Sequence, residues 1–413
     1  MNIAIVGAGI AGITTAYELA FAGHQVTVFE RHGSAAVEAS FATAGLMAPA
    51  HAAPWPTPEL SRQLLGQLWQ QHSAVKLNWP LGQGNLNWLW QAKRAGQPAT
   101  YHAHRAHLHR LAVYSRDCLH QITTRLQVNY DRSEGILMLL RTEADRAQAQ
   151  LRLQLLRDNG TRLRELTPKQ THLVEPALNP DTPFVGAIHL LDDEVGNCRQ
   201  FALLLKNEAQ RLGVNFHFGS TVARVEAGGQ LWLQAATQAQ RFDAVVLCSG
   251  LHSAALLRPL GLKLPLTGVR GYSVSAQIRE PLNAPRSAIV DDHYQVAITR
   301  LGRWVRVAGT MELGRNKPDQ AGMKTLYKVL QDWFPGAPLL SSGVQEWQGT
   351  RPMLPDDLPL LGASGTPGLW LNLGHGDHGW TLGCGSARVL TNLIGKQPAE
   401  IDLQGLGLER LHR

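Results

Sequence analysis

The chain has 413 residues, 44% of them hydrophobic and 17% charged, enough to bury a large core divided over two or three domains. Its formal net charge is +7, yet Lys and Arg are dispersed, with no basic tract and no basic–aromatic interleaving, so a nucleic-acid partner is not expected. No apolar run is long enough to cross a bilayer, and Met1 and Asn2 lead straight into a strand; the expectation is a cytoplasmic protein whose basic surface can meet the inner face of the membrane.

Residues 2–6 form a short β-branched apolar run that passes directly into Gly7-Ala8-Gly9-Ile10-Ala11-Gly12. Residues 13–22 read as a helix closed by Gly23, and a second strand at 26–29 ends on Glu30. Strand, glycine turn, helix, strand and terminal acid are the parts of a dinucleotide site. Gly7 allows the tight turn, Gly9 the approach of a pyrophosphate, and Gly12 the close packing of helix on strand. The helix N-terminus offers unpartnered N–H groups to the pyrophosphate, and Glu30 accepts from the ribose hydroxyls. At this point NAD and FAD are both open.

A segment of small residues follows at 34–46, where backbone can approach a flat ligand closely. Between 54 and 90 stand five of the eleven tryptophans, Trp55, Trp69, Trp79, Trp88 and Trp90. These are read first as the core of a helical insertion and second as a membrane- or quinone-facing surface. The helix predicted over 91–126 carries His102, His104, His107 and His109 with no acidic or cysteine partner nearby, so it is read as a solvated face and no metal is expected. The four cysteines, Cys118, Cys198, Cys248 and Cys384, lack metal or redox spacing and read as packing residues.

A strand is predicted at 135–140, a helix at 143–159 and a strand at 184–190 leading into a polar turn at 192–197. A helix at 201–212 precedes strands at 214–218, 221–226 and 231–233, and the run 242–248 stops at Ser249-Gly250, as a parallel strand does where its carboxyl end meets a cofactor. From 264 to 334 the pattern is strand-like, including 271–275, 294–299 and 304–307, and suggests a separate, largely antiparallel sheet. A last strand at 369–373 enters the glycine loop 374–385 and a helix over 380–394. A helix N-terminus aimed at a cofactor ring stabilises negative charge, which a reduced flavin develops and a reduced nicotinamide does not.

Taken in order, the fingerprint, Glu38-Ala39-Ser40-Phe41-Ala42-Thr43-Ala44-Gly45, Ala52-Ala53-Pro54-Trp55, Tyr114-Ser115-Arg116-Asp117-Cys118-Leu119, Asp193-Glu194-Val195-Gly196-Asn197-Cys198, Arg270-Gly271-Tyr272-Ser273, Arg351-Pro352-Met353 and Gly374-His375-Gly376 resemble the bacterial D-amino-acid dehydrogenases, flavoproteins of the wider D-amino-acid oxidase family. The likeness runs nearly end to end. It implies an α/β fold: a discontinuous Rossmann-like FAD-binding domain (1–55, 198–262 and 345–413) and a largely antiparallel-sheet substrate domain with a helical insertion (56–197 and 263–344). It implies non-covalent FAD and oxidative deamination of D-amino acids to 2-oxo acids and ammonia, by hydride transfer from Cα to flavin N5. Electrons then pass to a quinone or another non-oxygen acceptor, with peripheral membrane contact.

Among site residues, Arg351 is expected to grip the substrate carboxylate, with Tyr272 as a second donor and Tyr294 and His375 as weaker candidates. Gly7, Gly9, Gly12, Glu30 and Arg31 are expected at the adenosine and pyrophosphate, and Ser40, Ala44, Gly45 and Leu46 at the isoalloxazine. Val222, Ser249 and Gly250 are expected along the cofactor, and Gly374, Gly376, Gly379, Trp380 and Thr381 at the pyrimidine edge. Two departures stand out: Asp377 and His378 replace the family's Thr-Leu, and Arg270 replaces its Lys. Open alternatives are an oxygen-using amine or amino-acid oxidase for sarcosine- or proline-like substrates, an NAD(P)-dependent reductase, and a flavin-binding subunit of a larger dehydrogenase.

Overall fold

The computed structural model describes residues 1–60, 72, 74–78, 80–158, 160–314 and 320–412. Two sheets organise them. The first has the strand order Leu360–Ala363, Leu369–Leu373, Ala244–Leu247, Asn2–Val6, Gln25–Phe29 and Asn215–His217. All its pairings are parallel except that of Leu360–Ala363 with Leu369–Leu373. The central strands are buried on both faces, as a doubly covered parallel sheet requires, and their Ile/Val/Leu content follows from it.

One face is covered by the helices Ile10–Phe21, Cys198–Arg211 and Gly379–Ile394, the last of which also packs on Pro98–Leu126. Arg388 grips Glu18 side-on, Nε to Oε2 at 2.5 Å and Nη2 to Oε1 at 3.1 Å, and so ties Gly379–Ile394 to Ile10–Phe21. Glu18 is 2% exposed. Glu18→Ala therefore strands a half-buried guanidinium, and a loss of about 3 kcal/mol is expected, read by denaturant unfolding of the holoprotein.

The second sheet runs Gln345–Met353, Thr267–Gln277, Trp304–Gly314, Val296–Leu301, Ala288–Asp291, Ser133–Leu140, Gly186–Val195 and Leu46–Met47, largely antiparallel. Val75–Asn78 pairs with Trp304–Gly314, and Leu163–Leu166 with Gly186–Val195. Helix Gln320–Trp333 packs on it through Leu326, Val329, Leu330 and Trp333. The fold is thus the expected pairing of a Rossmann-like unit with a mainly antiparallel one, a discontinuous arrangement in which the chain crosses between the sheets repeatedly.

Several local expectations change. Strand Gln345–Met353, placed in the first unit by the boundary at 345, is the edge of the second sheet, paired along its length with Thr267–Gln277. The polar stretch 192–197 is not a turn: strand Gly186–Val195 runs through Asp192, Asp193 and Glu194, and Asn197 caps helix Cys198–Arg211 by accepting from Gln200 N–H. The acids survive in a strand because each has a partner. Asp193 accepts from the N–H groups of Ala50 and His51, and Glu194 pairs with Arg132 and His120. Helix Pro168–Val174, not anticipated, is nucleated by a capping box between Thr167 and Gln170.

The histidines of Pro98–Leu126 are not a solvated face: His102 is exposed, but His104, His107 and His109 are half-buried, and the His109 ring bonds the Pro49 carbonyl. Trp88 is buried and stacks on Trp55, as core residues would, whereas Trp90 is 59% exposed. Trp69 and Trp79 lie outside the described residues. All four cysteines are buried. No helix among the described residues is long and apolar enough to cross a membrane.

Candidate active site

A cavity of about 990 Å³ runs between the two sheets, from the end of Gln25–Phe29 to the start of helix Gly379–Ile394. At its first end, the turn after Asn2–Val6 is locked: Gly7 has φ +103°, and a Cβ there would stand 2.7 Å from the Cys248 carbonyl. Gly9 gives helix Ile10–Phe21 no side-chain cap, and Gly9, Ile10 and Ala11 line the cavity. No acid in the first turn opposes an anion there. Glu30, 9% exposed, closes this end, its carboxylate accepting from Ala8 N–H at 2.7 Å and His32 N–H at 2.9 Å. Arg31 beside it pairs with Glu38. Gly12 does not line the cavity; it is the contact point of helix and turn.

Ser40 belongs to this end rather than to the ring, because its Oγ accepts from Ile10 N–H at 3.0 Å. Ala44, Gly45 and Leu46 line the middle. Gly45, with φ +78°, packs against the Gly196 carbonyl, where a Cβ would stand at 2.8 Å. The second sheet fixes this segment: Arg306 donates from Nη1 to the Thr43 carbonyl at 3.1 Å and from Nε to Ser275 Oγ at 2.8 Å. Trp380 Nε1 donates to the Gly45 carbonyl at 3.2 Å and Thr381 Oγ1 to the Leu46 carbonyl at 3.0 Å. These two residues hold the segment in place with their polar groups as well as walling the cavity. Val222, Ser249 and Gly250 line it too; the Val222 carbonyl already faces His252 Nε2 at 3.1 Å, and Ser249 Oγ faces Ser253 Oγ.

At the far end stand Gly374, His375, Gly376, Asp377, His378 and Gly379. Gly376, with φ +53°, lies where a Cβ would meet Asp357 Oδ1 at 2.3 Å. Helix Gly379–Ile394 starts with no side-chain cap, so a second helix N-terminus opens on the cavity. His375 bonds Ser386 Oγ through Nε2 at 3.1 Å. Burial, with His378 adding to it, lowers the His375 pKa to about 4. His378 faces Asp357 at 3.5 Å and bonds the Ala53 carbonyl at 3.1 Å; burial opposes its protonation, but Asp357 and Asp377 outweigh that and raise its pKa. His51, which also lines the cavity, is pushed down to about 4 by burial and by Arg152.

The sign of the His375 effect on stability follows. The unfolded chain takes up this proton near pH 6.5, the fold only near 4, so stability that is full above 6.5 is lost as pH falls across that window. Asp193, raised to about 7 by burial, works the opposite way over nearly the same range. The expected observation is therefore a difference. Between pH 7 and 5, His375→Asn flattens the fall in melting temperature relative to the parent, by the equivalent of about 1–2 kcal/mol.

Arg351 enters the cavity from the edge strand Gln345–Met353, its side chain 21% exposed. Nη1 donates to the Thr310 carbonyl at 3.1 Å, and Nε pairs with Asp377. Thr267–Gln277 carries an irregularity between Arg270 and Tyr272, and the guanidinium lies over Gly271, where a Cβ would stand 2.5 Å from its Cζ. Tyr272 lines the cavity, but its hydroxyl donates to Glu312, which also holds Arg270. A phenol has one proton, so Tyr272 has none left for a substrate carboxylate. Burial first and Glu312 second push its pKa up to about 12. Tyr294 is not at the cavity at all: it sits in the turn before Val296–Leu301, under the cations of Arg141 and Lys328. The pairing of Arg351 with Asp377, and the presence of His51, are what residue patterns did not reveal.

This lining fits FAD. An acid and a helix N-terminus whose N-cap, Gly9, carries no side chain would receive the adenosine diphosphate arm, the small-residue middle would admit a flat ring, and a second helix N-terminus would meet its far side. Cys384 is fully buried in the helical core and does not line the cavity, as expected of a packing residue.

Residues 2–393 match the family model described as FAD dependent oxidoreductase. A curated D-amino acid dehydrogenase of Cereibacter sphaeroides is 38% identical over 99% of this chain and 95% of its own length. That of Rhodopseudomonas palustris is 36% identical over 99% of this chain and 98% of its own. Among solved structures, glycine oxidase from Bacillus cereus superposes with a TM-score of 0.73 at 20% identity, covering 96% of each chain. L-proline dehydrogenase from P. horikoshii gives 0.73 at 14% identity, covering 100% of this chain and 98% of its own. At these identities the solved structures speak for the fold alone.

Proposed function

The chain belongs to the FAD-dependent oxidoreductase family, with FAD as its cofactor, and on that premise we propose that it oxidises free D-amino acids to 2-oxo acids and ammonia and delivers the electrons to a quinone or another acceptor other than oxygen. Bound in the cavity, FAD supplies the two-electron acceptor for the hydride that leaves Cα. The chain's own residues supply position. Arg351 holds the carboxylate, and its planar fork fixes the direction in which Cα–H points. Thr310 and Gly271 fix the guanidinium in turn. His375, Trp380, Thr381 and Tyr272 are each under a tenth exposed and keep water from the reacting atoms.

The observation that carries this reading is Arg351 in the cavity with Nη2 free of protein partners among the described residues and Nη1 committed through one hydrogen to the Thr310 carbonyl. The D stereochemistry is supported by the near full-length relatives of that name. Contact with an anionic membrane surface, where a quinone resides, is supported by the exposed Leu86 and Trp90 on helix Gln83–Ala95, whose last turn carries Lys93 and Arg94. The test is stoichiometric. Under anaerobic conditions with a quinone analogue, D-amino acid should yield equal amounts of 2-oxo acid, ammonia and reduced quinone. Turnover that requires oxygen and releases peroxide contradicts the acceptor.

A further inference from the structure

We propose that Asp377 receives the substrate's amino group, so that Arg351 and Asp377 together read the zwitterion of a free amino acid; the proposal rests on Arg351 as the carboxylate clamp. Asp377 is on the one-turn helix Gly376–His378, between strand Leu369–Leu373 and helix Gly379–Ile394, and it lines the cavity. Its position is fixed from both sides. Gly376 packs on Asp357, and His378 is anchored to the Ala53 carbonyl and to Asp357.

The geometry divides the donors and acceptors between two ligand groups. Arg351 spends Nε on Asp377 and one Nη1 hydrogen on Thr310, which leaves both Nη2 hydrogens and the second Nη1 hydrogen for a carboxylate. Asp377 spends Oδ1 on Arg351, and among the described residues Oδ2 has no partner.

Charge points the same way. Arg351 and Asp377 cancel, so the site has no net attraction for a simple carboxylic acid, whose anion meets Asp377 as well as Arg351. A ligand carrying an ammonium beside its carboxylate turns that repulsion into a second charge-assisted hydrogen bond. Asp377 therefore selects for a free amino group, against 2-hydroxy acids, simple carboxylic acids and N-acylated amino acids.

The test uses the FAD-loaded protein, a panel of D-amino acids as reductants, and the amine-free acid of matching chain length as a competitive ligand. Asp377→Asn keeps an oxygen for Arg351 Nε and removes the charge. It should weaken binding of the D-amino acid roughly tenfold or more while leaving propionate-type acids unchanged or tighter. Asp377→Glu should recover part of the loss. If the amino acid and its amine-free counterpart weaken by the same factor, Asp377 merely positions Arg351 and the proposal is overturned; unchanged affinity for both overturns it too. A parent protein that no D-amino acid reduces overturns the functional reading beneath it and takes the proposal with it.

Discussion

Arg351→Lys is expected to lower kcat/KM for D-amino acids by about 2 kcal/mol or more, roughly thirtyfold, with the FAD content unchanged. Lysine keeps the charge and loses the fork. The Arg351 guanidinium is held at three places at once: Nε by Asp377, Nη1 by the Thr310 carbonyl, and its flat face by the bare backbone of Gly271. An ammonium on a flexible stem can satisfy one of these and cannot present two parallel N–H groups to a carboxylate. The loss should fall on the rate of flavin reduction in anaerobic rapid mixing as well as on substrate affinity, because an untethered carboxylate lets Cα–H swing away from the ring. Near-normal reduction by the lysine variant would remove Arg351 from the role given to it.

Gly12→Ala is the second large effect, and it acts on the cofactor. A Cβ at Gly12 would stand 1.9 Å from the Gly7 carbonyl oxygen and 2.9 Å from its carbon. Both are backbone atoms of the turn, so nothing flexible can move aside, and the helix must lift away from strand Asn2–Val6. A destabilisation of about 2–3 kcal/mol is expected from such overpacking, with the purified protein largely stripped of FAD. Gly33→Ala is the matched control, since a Cβ there meets nothing within 4 Å. The checks are the ratio of flavin to protein and the melting temperature with and without added FAD. A fully loaded Gly12→Ala protein would contradict the packing given to this residue.

The dinucleotide end of the site was legible because its instructions are local: turn, helix N-terminus and terminal acid lie within thirty residues and each has a backbone reason for its place. The substrate end was legible only in part. Arg351 could be picked out, yet its partner Asp377 is reached through a different sheet and the start of a helix, a pairing that no spacing encodes. Tyr272 lines the cavity, but Glu312, forty positions later, takes its hydroxyl. Tyr294 failed for the complementary reason: an aromatic in a strand-like run is drawn out of line by a turn and held between cations.

The run Asp192–Glu194 looked like a turn because acids usually punctuate strands. Here the ties of Asp193 to Ala50 and His51, and of Glu194 to Arg132 and His120, make a strand the better solution. Helix Pro168–Val174 is a different case, since its Thr167 and Gln170 capping box was present in the sequence and simply outweighed by the polarity around it.

The most direct measurement is anaerobic mixing of the FAD-loaded protein with panels of D- and L-amino acids while the flavin colour is followed. The account predicts bleaching by D-amino acids, lost or strongly slowed in Arg351→Lys, and no bleaching by their L-enantiomers. Bleaching by L-amino acids alone, or by neither panel, would contradict it.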